Sequence, residues 1–336
     1  MVAPAHAPVL LPALATGIGS LPHDDATAAA ELVMRLLPRL PSAPQLPNRD
    51  PRERMIAQWL VALPEVEIGS DGELAISGRS DEPPVAAFHN TSHGGLLAFL
   101  DVAARGAVDP PRLKVQCAGP LTLGMALAAA GMPVERAFRR AAEAVHAWTD
   151  ALEVLVASRL PGSSLLVFLD EPALVAWRRG HEPLARDAAI DVLSGVLASM
   201  SSTSGVHVCG DGDRRLALEA GPHVVGFDIE HDLSADGDAL SRFLEGDGWI
   251  AWGVVPTDRP LGSSPEPLWR ALVDVWCDLT RRGCDPIRLR TQSLITPGCG
   301  LASHSLDQAQ QLIELTNEIA ERVHSQAVAA RLTLGA

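Results

Sequence analysis

Lysine is nearly absent from this chain of 336 residues: Lys114 stands alone among 27 basic residues. A bias toward GC-rich codons accounts for that better than any function does. Basic charge is short overall, with 41 acidic residues against those 27 and a net charge of −14. Nucleic acid and anionic membrane are therefore excluded as partners, because binding their phosphates needs a positive field. The tryptophans are not interleaved with basic residues either, as a nucleotide-stacking platform would require. No uninterrupted apolar run reaches the roughly 18 residues of a membrane span. The opening MVAPAHAPVLLPALA is apolar but has no basic n-region, so no signal peptide is expected. Cysteines are few, and the five (Cys117, Cys209, Cys277, Cys284, Cys299) are odd in number and scattered. That excludes a secreted disulfide framework and predicts a reducing, cytoplasmic location.

What the chain does have is apolar mass. Hydrophobic residues make up 47% and charged ones 20%, enough for a substantial core and too apolar for a disordered chain. There is no internal repeat and no low-complexity tract. Short apolar runs alternate instead with long Ala/Leu/Arg-rich helical segments, the mark of a parallel α/β fold. Strands are predicted at 14–20, 42–47, 112–118, 164–170, 204–209, 223–228, 249–255 and 292–297. Helices are predicted at 24–38, 92–105, 133–160, 184–201, 212–220, 237–246, 265–282 and 304–325. Eight strands with intervening helices predict a single-domain TIM (β/α)8 barrel over 1–336, its core at about 14–325. A doubly wound sheet is the main rival. Residues 66–77 break the alternation, and Asp71-Gly72 between two extended runs predicts a small β-hairpin excursion from an early loop. The Pro-rich stretch 38–51 is short enough to be a loop.

The unusual residues gather at the carboxyl ends of the strands, which in a parallel barrel open onto one face. Gly19-Ser20 ends the first, Gly119-Pro120 the third, Asp170-Glu171-Pro172 the fourth and Cys209 the fifth. Asp228 closes the sixth, and Cys299 follows the eighth. Turn chemistry alone explains the glycines and prolines but not a paired His and Cys. In His207-Val208-Cys209, residues two apart on a strand point to the same side. Imidazole and thiolate both bind zinc, and a catalytic zinc needs three protein ligands and an open position. Cys299, in the Gly-flanked TPGCGLA, adds a thiol, and Asp228 a carboxylate, with Glu230 in reserve. Two thiolates and one carboxylate around Zn²⁺ give a net −1 site. That site is a poor Lewis acid toward carbonyls but able to hold a substrate thiol as a nucleophilic thiolate. Alkyl transfer to sulfur is thus favoured over hydrolysis.

Asp170 and Glu171 are adjacent, so only one can reach the barrel mouth, where a carboxylate suits a substrate ammonium. The alternative is a helix N-cap on the following segment. GIGSLPH at 17–23 lacks the third glycine of a dinucleotide loop and the Gly-Lys-Ser/Thr of a P-loop. The N–H groups of Gly19 and Ser20 can still hold a small carboxylate. His23, His93 and His304 read as surface residues in loops on the active face, and Cys117, Cys277 and Cys284 as packing residues.

Taken in order, TGIGSLPH, AGPLT, LDEPAL, H-V-C and PGCGLA resemble the C-terminal catalytic barrel of cobalamin-independent methionine synthase over roughly residues 14–325. The resemblance implies a TIM barrel with one catalytic zinc on His207, Cys209, Cys299 and an acidic residue, aligned at Asp228 or, with a slipped register, Glu230. It also implies that Ile18, Gly19, Ser20 and Asp170 bind the amino-acid end of homocysteine. Three departures accompany it. The family's full-length members carry an additional N-terminal barrel that this sequence does not show, so the donor is expected to be methyltetrahydrofolate or a methylcorrinoid on a partner protein. The family's His after strand seven is replaced by Thr257 or Asp258. A glutamate that holds the substrate amine, near RERMIAQW here, has no match. The resemblance thus implies a cytoplasmic, zinc-dependent methyltransferase that makes methionine from homocysteine. Its rivals are a related barrel acting on another thiol such as coenzyme M or on uroporphyrinogen, and a non-catalytic zinc-binding protein.

Overall fold

The strands are β1 (Leu14–Ala15), β2 (Val66–Ile68), β3 (Leu74–Ile76), β4 (Arg112–Ala118), β5 (Ser164–Asp170), β6 (Thr203–Val208), β7 (Val224–Asp228), β8 (Trp249–Val255) and β9 (Ser293–Pro297) in a computed structural model that describes residues 10–106 and 110–333. Residues 1–9, which begin the apolar stretch weighed above as a signal peptide, lie outside the described residues. Seven strands form one parallel sheet in the order β1-β9-β8-β7-β6-β5-β4.

The strand expected at 42–47 is not one. It makes two single parallel bridges instead, Gln45 with Ser20 in the segment after β1 and Ser42 with Lys114 in β4. Pro41, Pro44 and Pro47 are the reason, since each removes a ladder donor. Only Ala43 and Gln45 donate to flanking backbone, to the carbonyls of Lys114 at 2.8 Å and Gly19 at 3.0 Å. Because one short segment touches both edges, the sheet is curled. An open doubly wound sheet would keep its edges far apart. The sheet therefore has seven strands and a proline-broken connector where eight strands were expected.

Helices cover the outside, the longest being Asn90–Ala104, Val134–Arg159, Glu266–Arg281 and Leu306–Thr333. No helix among the described residues is long and apolar enough to cross a membrane. The excursion is present as expected: β2 and β3 pair antiparallel, and Gly72 adopts φ 79° in the turn between them.

Alternation along each strand sorts the residues. Directly paired residues share a face, and Ala118, Asp170, His207, Gly226, Ala251 and Leu294 lie in one such row around the interior. Toward the amino ends of the strands the interior is plugged by Leu14, Leu166, Phe168, Val224 and Leu294. The Phe168 ring fits because Gly205 and Gly226 face it; a Cβ at Gly205 would stand 2.7 Å from the ring. Outward-facing Val167, Val206, Val225 and Ile250 belong to the larger core beneath the helices. The polar inward residues are left at the carboxyl ends.

Three surface or packing expectations are corrected; the first is His23, read as a surface residue but buried at 9% exposure. His93 is fully buried at a kink (φ −137°, ψ 24°) in the Asn90–Ala104 helix. There it is boxed by Trp148 at 4.8 Å, Phe88 at 5.3 Å and Trp59 at 5.5 Å between ring centroids. Burial pushes its pKa down to about 4, so it is a neutral core residue. Cys277 is exposed on an outer helix, whereas Cys117 and Cys284 are buried as expected.

Candidate functional site

His207 and Cys209 leave β6 on the same side, and the β9 loop carries Cys299 to meet them. The three ligand atoms lie within 4.8 Å of one another. His207 is 3% exposed, and its buried Nε2 has no hydrogen-bond partner among the described residues. An orphaned imidazole nitrogen facing two thiols is costly unless something accepts its lone pair. The two Sγ atoms are 3.4 Å apart. Sharing that hydrogen bond splits the pair. The pKa of Cys299 is driven down, first by the bond to Cys209 and then by the nearby imidazole; that of Cys209 is driven up by the same bond and by burial. Ionising both thiols at this distance would require a cation between them. The set of one imidazole and two thiols matches zinc in softness and count.

Asp228, at the end of β7, stands beside this trio but outside the 4.8 Å cluster. Its Oδ2 would be 3.0 Å from a Cβ on Gly298, the neighbour of Cys299, and its Oδ1 accepts from the Glu230 N–H at 2.8 Å. Burial raises its pKa. Glu230, the reserve ligand, is ion-paired with Arg259.

Asp170 and Glu171 divide the two roles weighed for them. Asp170 faces the interior, 7% exposed, and its buried Oδ1 has no partner among the described residues. Burial pushes its pKa up to about 6, against the opposing pull of Lys114 and His207. Glu171 is fully buried and caps a helix, though the preceding one, Pro120–Ala129, and not the segment after it. It accepts from the N–H groups of Leu121 at 2.9 Å and Thr122 at 2.7 Å and from the Thr122 hydroxyl at 2.6 Å. These donors are the otherwise unmet N–H groups of the helix start. Gly119 must be glycine because a Cβ there would overlap the Glu171 carboxylate.

Burial outweighs those hydrogen bonds and pushes the Glu171 pKa up to about 7. A raised folded-state pKa means that the stability this group contributes is complete below its unfolded value. It is lost as pH rises through about 7. In thermal and urea melts, Glu171→Gln is therefore expected to flatten that pH dependence. Glu171→Ala is expected to lose about 3 kcal/mol or more, because three buried donors lose their acceptor at roughly 1–3 kcal/mol each. A stability difference from wild type that does not vary between pH 5 and pH 8 would contradict this reading of Glu171.

The first loop adjoins both groups. The Ile18 carbonyl accepts from Lys114 Nζ at 2.7 Å, the Gly19 carbonyl from the Gln45 N–H at 3.0 Å and the Ser20 carbonyl from the Leu301 N–H at 2.8 Å. With its carbonyls committed, the segment has its N–H groups to offer a ligand. Gly19 adopts φ 144°, and a Cβ there would overlap the Gln116 side-chain amide; a Cβ on Gly300 would overlap the Ser20 hydroxyl. The loops bearing Ser20 and Cys299 are thus in direct contact.

The RERMIAQW segment supplies no free carboxylate. Glu53 is fully buried and accepts from Arg49 at 2.6 Å and the Leu46 N–H at 2.9 Å, while Gln45 donates to Gln58 at 2.6 Å. After β8, Thr257 and Asp258 line a cleft of about 300 Å³ together with Arg259 and His304. Lys114, set aside above as a product of composition, is instead an interior residue, 1% exposed. Only the isolation of a lysine in an apolar strand pattern could have flagged it.

The chain matches no protein-family model and no curated protein. Solved structures do match its fold. One is a B12-independent methionine synthase from Shewanella sp. W3-18-1 in complex with selenomethionine (TM-score 0.67, 12% identity, 95% of this chain and 99% of that one). Another is a methyltransferase from Methanosarcina mazei (TM-score 0.56, 13% identity, 89% of this chain and 86% of that one). Identities this low establish likeness of fold.

Proposed function

We propose that this chain is a single-domain barrel enzyme that transfers a methyl group to the thiol of homocysteine, using a zinc ion held by His207, Cys209, Cys299 and Asp228. The observation that carries this reading is the juxtaposition of a three-ligand cluster with the unpartnered, interior Asp170 carboxylate. The likeness to a B12-independent methionine synthase, matched over 99% of its length, supports it further.

Zinc bound to these residues supplies one thing, a substrate thiol kept deprotonated near neutral pH yet still nucleophilic. The protein's own groups do the positioning. Asp170 receives the substrate ammonium, and the N–H groups of Gly19 and Ser20 receive its carboxylate. The acceptor's length then sets the sulfur at the His-Cys-Cys end of the site. In the transfer, sulfur's lone pair forms the new C–S bond as the bond from methyl to donor breaks, and that bonding pair leaves with the donor. Orientation and exclusion of water account for the barrel's share. Methyltetrahydrofolate and a methylcorrinoid on a partner protein are the two donors we consider. An acceptor such as coenzyme M, anionic and without an ammonium, is disfavoured because the buried Asp170 would repel it.

The test is an assay of the purified protein with L-homocysteine and either methyltetrahydrofolate or methylcobalamin, with metal analysis of the same sample. Methionine formation with one donor, lost on chelation and restored by zinc, is expected. A metal-free preparation as active as the zinc-loaded one would refute the proposal.

A further inference from the structure

Codon bias explains why other lysines are missing, not why this one remains. Lys114 points into the curled sheet from β4, where an unpaired ammonium is costly. Its Nζ lies 4.9 Å from the centroid of the Phe168 ring. It also donates to the Ile18 carbonyl at 2.7 Å and approaches Gln116 Oε1 at 3.4 Å. Burial lowers its pKa to about 8, and Asp170 is the charge that opposes the fall. Reciprocally, Lys114 is the foremost positive influence on Asp170. The ammonium hydrogen-bonds to the loop carbonyl and forms no hydrogen bond with the Asp170 carboxylate, whose Oδ1 stays open. Lys114 is thus tied to the loop beside the thiols.

We propose that Lys114 is a positioning residue of the acceptor site: it clamps the Ile18–Ser20 segment, whose N–H groups face the amino-acid end of the acceptor, through the Ile18 carbonyl. This rests on the amino-acid acceptor proposed above. It predicts that Lys114 governs recognition of the amino-acid end and not of the thiol.

Being the only lysine, Lys114 can be observed alone. In wild-type protein labelled with 13Cε-lysine, the single side-chain resonance is expected to move on saturation with L-methionine and to stay in place with propanethiol, which has neither ammonium nor carboxylate. Lys114→Met, with zinc content and far-UV circular dichroism unchanged, is expected to bind L-homocysteine at least tenfold more weakly and propanethiol within twofold of wild type. A resonance that ignores L-methionine in protein that binds it, or equal L-homocysteine affinity in Lys114→Met, would overturn the inference. Should that variant not fold, the wild-type resonance still decides. If wild-type protein binds neither amino acid, the acceptor reading fails and takes this inference with it.

Discussion

Cys299→Ser is expected to empty the metal site while leaving the far-UV circular dichroism unchanged. The thiol lies in a loop after β9, partly exposed and flanked by Gly298 and Gly300, so its loss removes no core contact. The metal loses much more. A serine hydroxyl does not ionise near neutral pH, so the cluster falls from three strong donors to His207 and Cys209, with Asp228 alongside. Removal even of a residue that merely supports a ligand costs roughly 10–100-fold in affinity, so loss of a ligand itself is expected to cost at least ~100-fold. Zinc per chain after dialysis, read by plasma emission, is expected to fall from about one to near zero. Retention of one zinc per chain would remove Cys299 from the ligand set. Such a site would resemble a structural one only if the fold were lost along with the metal.

Asp170→Asn is expected to do the opposite, keeping the zinc and losing the acceptor. The change is nearly isosteric and conserves the interior packing of β5. It removes the negative charge that, on this account, receives the substrate ammonium, and a hydrogen bond to a charged group is worth about 1.5–3 kcal/mol. Affinity for L-homocysteine, measured by calorimetry on zinc-loaded protein, is expected to fall by roughly 10–100-fold. The loss is expected to be specific to amino-acid acceptors, because a plain thiol makes no use of Asp170. Unchanged L-homocysteine affinity would take that role from Asp170.

What the sequence disclosed and what it hid follow from period and range. Period-2 alternation put His207 and Cys209 on one face, and the Gly-flanked loop marked Cys299 as a thiol free to approach them; the structure brings all three together. The same reasoning anticipated that only one of Asp170 and Glu171 could face the interior. It could not say that the other caps a helix lying some fifty residues earlier in the chain, because AGPLT read as a motif at a strand end and not as the start of Pro120–Ala129. The proline-rich 42–47 looked like a weak strand and became two bridges, since Pro44 and Pro47 within it and Pro41 before it interrupt the row of ladder donors. His93 was misread because NTSHGG has the composition of a loop. Its burial against Trp59, Phe88 and Trp148 depends on residues that only the fold assembles. Lys114 illustrates the same limit: composition made it look incidental, and only its place above Phe168 and beside Ile18 makes it informative.

The most direct test of the account is the absorption spectrum of the cobalt(II)-substituted protein. A site built from His207, Cys209 and Cys299 is expected to give a sulfur-to-metal charge-transfer band in the near ultraviolet and tetrahedral bands in the visible. Addition of L-homocysteine is expected to strengthen the charge-transfer band as another thiolate joins the metal. Failure to bind cobalt, or a spectrum that L-homocysteine leaves unchanged, would contradict the proposal that these residues hold a metal with a position open to substrate sulfur.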